Sequence, residues 1–152
     1  MQLREAERLG WLELVTFDAE PTCWRRPAGP GRASLVVKPD AYVCVAVGDY
    51  EEHRFFEVDL GTESLNVISQ KADLYVRYWH SGQEQRANGV FPQVLFLVSN
   101  EHRAELIVKE LARQPADHWR LFQTRLLTDA VTAISGDSPR ASPTLHARSS
   151  IN

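Results

Sequence analysis

Three carboxylates lie close together in the first half of the chain, at a spacing that allows them to share one site. Asp40 stands just before an apolar run, and Glu57 and Asp59 lie two residues apart inside a second run. Alternate residues of a strand point to the same face, so Glu57 and Asp59 are expected to project together. Gathered carboxylates repel one another unless a cation lies between them, and oxygen-only ligands suit Mg²⁺ or Mn²⁺. The three acids therefore predict a metal site; ordinary solvated acids on the wet face of a sheet are the alternative.

The two apolar runs are expected to form neighbouring strands. They span Ala41–Val47 and Phe55–Leu60, and an acid-rich turn at residues 48–53 separates them. An antiparallel hairpin of these strands would bring Asp40 beside the acids of the second strand.

A helix is expected to follow the hairpin. Thr62 is the expected N-cap, the apolar positions repeat at helical spacing to about His80, and Gly82 is the expected stop. Lys71 and Tyr75 lie four residues apart, so they share one face of this helix.

The rest of the chain predicts a mixed α/β domain. We expect a helical piece over residues 1–10, a strand over 11–17, a polar loop over 81–88 and a final strand over 119–124. Phe91–Ser99 is the most apolar segment and predicts a central buried strand, with the helix Glu101–Gln114 after it. Residues 1–133 are expected to form one domain, a central mixed sheet flanked by helices, and residues 134–152 a disordered tail.

Composition narrows the class of protein. The 152 residues carry a net charge of −3, which does not suggest a nucleic-acid binder by itself. No apolar run reaches the roughly 20 residues that span a bilayer, so no membrane association is expected. The two cysteines, Cys23 and Cys44, show no metal-type spacing and favour reduced thiols in a cytoplasmic protein.

Four stretches together resemble the replication-relaxation family of plasmid and mobile-element proteins, within the PD-(D/E)XK nuclease superfamily. The resemblance covers roughly residues 10 to 130 and rests on the following segments: Lys38-Pro39-Asp40-Ala41, Phe56-Glu57-Val58-Asp59-Leu60-Gly61-Thr62-Glu63, Lys71-Ala72-Asp73-Leu74-Tyr75 and the run from Val94 to Arg103. It implies a restriction-endonuclease-like core that acts on DNA.

The resemblance also implies roles for single residues. Asp40 and Glu57 would be the metal-binding acids of the motif. The motif lysine is replaced by Asp59, so Lys71 is the expected substitute in catalysis.

Three further residues receive weaker roles from the resemblance. Tyr75 would contact the DNA backbone or brace Lys71, Arg103 would reach phosphate, and Glu20 would be an additional acid. A winged-helix DNA-binding partner or a homodimer is a further expectation.

The sequence leaves several functions open. The first is a metal-dependent endonuclease or nickase of plasmid or conjugative-element DNA; a relaxase that joins itself to DNA through tyrosine is a variant. The two-histidine relaxase site needs closely spaced histidines, and the five histidines of this chain are isolated. The second is an inactive nuclease-like module for dimerisation or DNA binding in plasmid replication control. The third is an α/β domain whose acids lie only on its surface.

Overall fold

A five-stranded mixed sheet with helices against it forms the framework of the protein. A computed structural model describes residues 4, 5, 8, 10, 12–27 and 35–130. The strands are β1 (Glu13–Ala19), β2 (Ala41–Val47), β3 (Tyr50–Asp59), β4 (Gln93–Val98) and β5 (Phe122–Leu126), and they lie in the order β1-β2-β3-β4-β5. The helices are α1 (Leu65–Ser81), α2 (Gln83–Asn88) and α3 (Glu101–Leu111). The predicted mixed α/β architecture is confirmed.

The first three strands form an antiparallel meander, and the last two add in parallel. β2 pairs with β3 in the register Ala41↔Phe56 to Val47↔Tyr50, which confirms the predicted hairpin. Its turn is shorter than expected, because only Gly48 and Asp49 lie between the paired ends. Gly48 has a φ of 61°, a conformation that glycine adopts readily in two-residue hairpin turns.

Strand β4 lies between β3 and β5 and is buried on both faces. Its residues Val94 to Val98 are at most 4% exposed, as the unbroken apolar run predicted. The final strand is displaced from its expected position at 119–124. Ala116–Leu121 forms a 3₁₀ turn, and β5 begins only at Phe122.

Helices α1 and α3 pack on one face of the sheet. Ile68, Ala72 and Tyr75 of α1 and Ile107 and Leu111 of α3 share one apolar core with the sheet. The opposite face carries a second core that includes Val43, Val45, Phe56, Leu95 and Leu97. Alternation along β3 therefore places Glu57 and Asp59 on the face toward α1 and α3, and Phe56 on the other.

Two local predictions about helices are wrong. Ser64, not Thr62, caps α1, and its Oγ accepts a hydrogen bond from the Val67 amide at 3.3 Å. Residues 83–88 are helical, although their polar composition predicted a loop. Gly82 does end α1 as predicted, with a φ of 69°.

Some predictions fall on residues outside the described ranges. The expected tail at 134–152 is one of them. Of the expected first helix, Arg4, Glu5 and Arg8 are helical and Gly10 has a φ of 74°. Among the described residues, no helix is both long enough and apolar enough to cross a membrane.

Candidate functional site

Asp40 lies opposite Glu57 because it immediately precedes the first paired residue of β2. The Asp40 amide donates to the Phe56 carbonyl oxygen at 2.8 Å, which extends the ladder by one residue. The Asp40 side chain also contacts β3, because its Oδ2 accepts a hydrogen bond from the Val58 amide at 2.7 Å. The hairpin therefore brings the two motif acids side by side.

Glu57 is a buried carboxylate, with only 3% of the residue exposed. The Tyr75 hydroxyl donates to Glu57 Oε1 at 2.6 Å, and Lys71 Nζ donates to Glu57 Oε2 at 3.2 Å. Lys71 and Tyr75 lie one turn apart on α1, so the helix delivers both donors to one carboxylate. We call Asp40, Glu57, Lys71 and Tyr75 the acid–lysine cluster.

Burial dominates the electrostatics of Glu57. It raises the pKa of Glu57 to about 7, although the charge of Lys71 and the Tyr75 hydrogen bond act in the opposite direction. The neighbouring charge of Asp40 adds to the rise. A carboxyl group with such a pKa is found more often at functional sites than elsewhere.

Lys71 lies between two carboxylates. Its Nζ lies 2.8 Å from Glu63 Oε2, in addition to the contact with Glu57. Burial alone would lower the pKa of Lys71, but Glu57 and Glu63 together raise it. The ammonium group therefore stays charged beside Glu57.

Asp59 lies on the same face as Glu57, but Arg103 pairs with it there. Arg103 Nε and Nη2 donate to its two oxygens at 2.8 and 2.9 Å, and the Gly61 amide donates to Oδ1 at 2.8 Å. The hydrogen bonds from Arg103 lower the pKa of Asp59. Both oxygens are thus occupied, so the geometry assigns Asp59 to a structural ion pair instead of the expected metal ligation.

The two expected DNA contacts, Tyr75 and Arg103, and the expected additional acid, Glu20, occupy different environments. Tyr75 is 1% exposed, so it braces Glu57 and offers no surface to DNA. Arg103 is engaged with Asp59 and also donates to the Glu63 carbonyl oxygen at 2.6 Å. Glu20 is exposed on the turn after β1. Its backbone amide donates a hydrogen bond to the Asp40 carbonyl oxygen at 3.3 Å.

A third buried acid was not identified from the sequence. Glu84 is 1% exposed and accepts hydrogen bonds from Arg25, Tyr78 and Asn88. The Arg25 guanidinium also lies over the rings of Tyr42 and Phe55. No local signal marked Glu84, because its neighbours in sequence are polar and its cation comes from a distant loop.

Comparisons with known proteins place the acid–lysine cluster inside a family match. No curated protein and no solved structure matches the chain. A family model described as Replication-relaxation matches residues 1–94. That range contains all four residues of the cluster and ends before Arg103. The wider relationship to the PD-(D/E)XK superfamily stays a prediction. The chain belongs to the replication-relaxation family, which indicates a role in the replication or relaxation of plasmid or mobile-element DNA.

Proposed function

We propose that the protein hydrolyses phosphodiester bonds in plasmid or mobile-element DNA with the help of a divalent cation held by Asp40 and Glu57. The observation that carries the proposal is the buried Glu57 carboxylate, which lies beside Asp40 and within hydrogen-bonding distance of Lys71. A buried acid that needs neutralising, next to a second acid and a lysine, is typical of a hydrolytic site.

The donor set fits a hard divalent cation. Asp40 and Glu57 offer only oxygen atoms, which suits Mg²⁺ or Mn²⁺ better than a softer metal. Asp59 is left out of the proposed ligands because Arg103 pairs with both of its oxygens. When bound, such a cation would lower the pKa of a water molecule and offset negative charge on phosphate.

The chain's own residues have separate tasks in this proposal. Lys71 supplies a fixed positive charge for the pentavalent phosphate, since Glu57 and Glu63 hold its ammonium group in place. The Tyr75 hydroxyl orients the Glu57 carboxylate from within the core. A DNA-binding partner, either a winged-helix domain or a second copy of the chain, is proposed to compensate for the net charge of −3.

One observation favours a second candidate, a non-enzymatic module of plasmid replication control. Tyr75 and Lys71 already donate to the two oxygens of Glu57, so the cluster is satisfied without a cation. In that case the cluster only fastens α1 to β3. The position of the motif lysine, taken by Asp59, is consistent with this alternative.

Cleavage of supercoiled plasmid tests the proposal. Purified protein is incubated with plasmid in Mn²⁺, in Mg²⁺ and in EDTA, and open-circle and linear products are measured on a gel. We expect metal-dependent cleavage that Glu57→Gln and Asp40→Asn abolish and that Lys71→Met slows by about 100-fold or more. The matched controls are Glu105→Gln and Lys109→Met, at exposed positions of α3, and both should cleave like the wild type.

Metal binding separates the two candidates. Under the nuclease proposal, Mn²⁺ raises the melting temperature of the wild type and not that of Asp40→Asn. If the wild type showed no cleavage and no Mn²⁺-dependent shift in melting temperature, the nuclease proposal would be contradicted and the module would be favoured.

A further inference from the structure

A cysteine, a histidine and a glutamate that are separated in sequence meet at the far end of the β2–β3 hairpin. Cys44 and His53 are directly opposite each other in the register, and Glu51 lies two residues before His53 on the same face. The hairpin is the one that carries Asp40 and Glu57, but these three residues lie toward its turn. We call Cys44, Glu51 and His53 the hairpin triad.

The potential ligand atoms of the hairpin triad are spaced almost as they would be around a single metal ion. Cys44 Sγ lies 3.9 Å from His53 Nε2 and 3.8 Å from Glu51 Oε2, and the last two atoms lie 3.5 Å apart. Tetrahedral zinc, with its usual bond lengths, places sulfur about 3.6 Å from nitrogen or oxygen, and nitrogen about 3.4 Å from oxygen. Movements of a few tenths of an ångström would therefore close the triad around an ion.

The histidine is oriented as a metal ligand would be. Tyr42 holds the other ring nitrogen, with its hydroxyl oxygen 2.6 Å from His53 Nδ1. If the ring proton lies on Nδ1 and is donated to the Tyr42 oxygen, the Nε2 lone pair points at Cys44 and Glu51. A polar partner on the far nitrogen is the usual support of a metal-binding histidine.

The hairpin triad is open to solvent on the Glu51 side. Cys44 is 3% exposed, whereas the Glu51 side chain is 58% exposed and the His53 side chain 15%. Glu51 and His53 line a surface depression of about 300 Å³ together with Phe91 and Gln93. An ion can therefore enter from the Glu51 side, and water can complete its coordination.

We propose that Cys44, His53 and Glu51 form a binding site for Zn²⁺ or a similar borderline-soft divalent ion, with Tyr42 as the residue that positions His53. Binding converts the Cys44 thiol to a thiolate and releases its proton to solvent. The mixed sulfur, nitrogen and oxygen donors distinguish this site from the oxygen-only pair of Asp40 and Glu57. The proposal does not depend on the nuclease proposal.

Cobalt substitution tests the site directly, because a thiolate bound to Co²⁺ gives a charge-transfer absorption in the near ultraviolet. Metal-stripped protein, kept reduced, is titrated with Co²⁺ and then with Zn²⁺ in excess Mg²⁺. We expect one Co²⁺ per chain with the thiolate band, displacement of the band by Zn²⁺, and no effect of Mg²⁺.

Variants assign the band to particular residues. Cys44→Ser should abolish it, and the control Cys23→Ser should retain it, since Cys23 donates to the Pro39 carbonyl oxygen elsewhere. Glu57→Gln should also retain the thiolate band, so a failure of the hairpin-triad proposal can be distinguished from a failure of the nuclease proposal. Tyr42→Phe keeps all three ligands and should weaken Co²⁺ binding by about 10-fold or more.

Three results would overturn the proposal. They are the absence of a thiolate band in the wild type, a band that persists in Cys44→Ser, and Co²⁺ affinity that is unchanged in both Glu51→Gln and His53→Gln. Glu51 is largely exposed, so Glu51→Gln is expected to fold and gives a result even where Cys44→Ser does not.

Discussion

At the scale of single residues, Glu57 is where folding and the proposed chemistry conflict. Its carboxylate is buried, and burial raises its pKa to about 7 even with Lys71 and Tyr75 beside it. A buried acid of this kind lowers the stability of the fold whenever it is ionised. Proteins often keep such residues where function requires them.

The first prediction follows from the sign of that shift. The pKa of Glu57 in the folded protein lies above the ordinary value of 4.5. The stability that the neutral Glu57 side chain contributes is therefore fully present below about pH 4.5 and is lost as pH rises through 7. Glu57→Gln cannot ionise, and in EDTA at pH 8 it should be more stable than the wild type by up to about 3 kcal/mol. At pH 4.5 the two proteins should differ little.

Urea unfolding at the two pH values measures this difference. A variant that is less stable than the wild type at pH 8 would show that the attraction of Lys71 outweighs the cost of burial. Glu105→Gln, at an exposed position, is the control for the substitution itself.

At the scale of elements, Arg103 joins the start of α3 to the end of β3. It holds Asp59 with two hydrogen bonds and the Glu63 carbonyl oxygen with a third. Asp59 is 3% exposed, so its charge is hidden from water and depends on the guanidinium. Loss of one partner of such a pair leaves an uncompensated charge in the interior.

We therefore predict that Arg103→Met lowers the free energy of unfolding by about 2–4 kcal/mol. Arg103→Lys should recover only part of this loss, because lysine cannot make the two parallel hydrogen bonds. Arg113→Met is the control, since the Arg113 side chain is 76% exposed and water screens its ion pair with Glu110; its cost should stay below about 0.5 kcal/mol. Equal costs for Arg103→Met and Arg113→Met in chemical denaturation would contradict the structural role of Arg103.

Glu84 makes a similar connection between α2 and the segment before β2. Glu84→Ala removes the acceptor of Arg25, Tyr78 and Asn88, and we predict a loss of about 3–5 kcal/mol in the free energy of unfolding. Thermal unfolding followed by circular dichroism measures the loss, and a change in melting temperature no larger than that of Glu105→Ala would count against the network.

At the scale of the whole molecule, the sheet is held most firmly at its centre. β4 is buried on both faces and paired on both sides, whereas β1 and β5 are the first and last strands in the sheet order. β1 also contains an irregularity between Leu14 and Thr16, where its register with β2 shifts. Stability should therefore be unequal across the sheet.

Native-state hydrogen exchange tests this expectation. The amides of β3 and β4 should exchange most slowly, and those of β1 and β5 should exchange through local opening. Protection of β1 equal to that of β4 would contradict this expectation.

Much of the fold could be predicted because its signals are local. Unbroken apolar runs marked β2 and β4, and Gly82 marked the end of α1, all of which depend on neighbours in sequence. The errors came where two local signals compete or where a local signal is missing. Thr62 and Ser64 are both N-cap residues, and the polar residues of α2 carry no apolar stripe.

The sequence by itself determined the order of the five strands and of helices α1 and α3, the hairpin that brings Asp40 to Glu57, and the shared helical face of Lys71 and Tyr75. Only the tertiary structure decided which charges meet. Arg103 comes from 44 residues away to neutralise Asp59, and Arg25 from 59 residues away to neutralise Glu84. Strand register likewise placed Cys44 against His53, although the spacing of the cysteines in the chain did not suggest a metal site there. The physical reason is that helix caps, apolar runs and side-chain alternation depend on a few neighbouring residues, whereas a buried charge is satisfied by whichever partner the packed fold brings within reach.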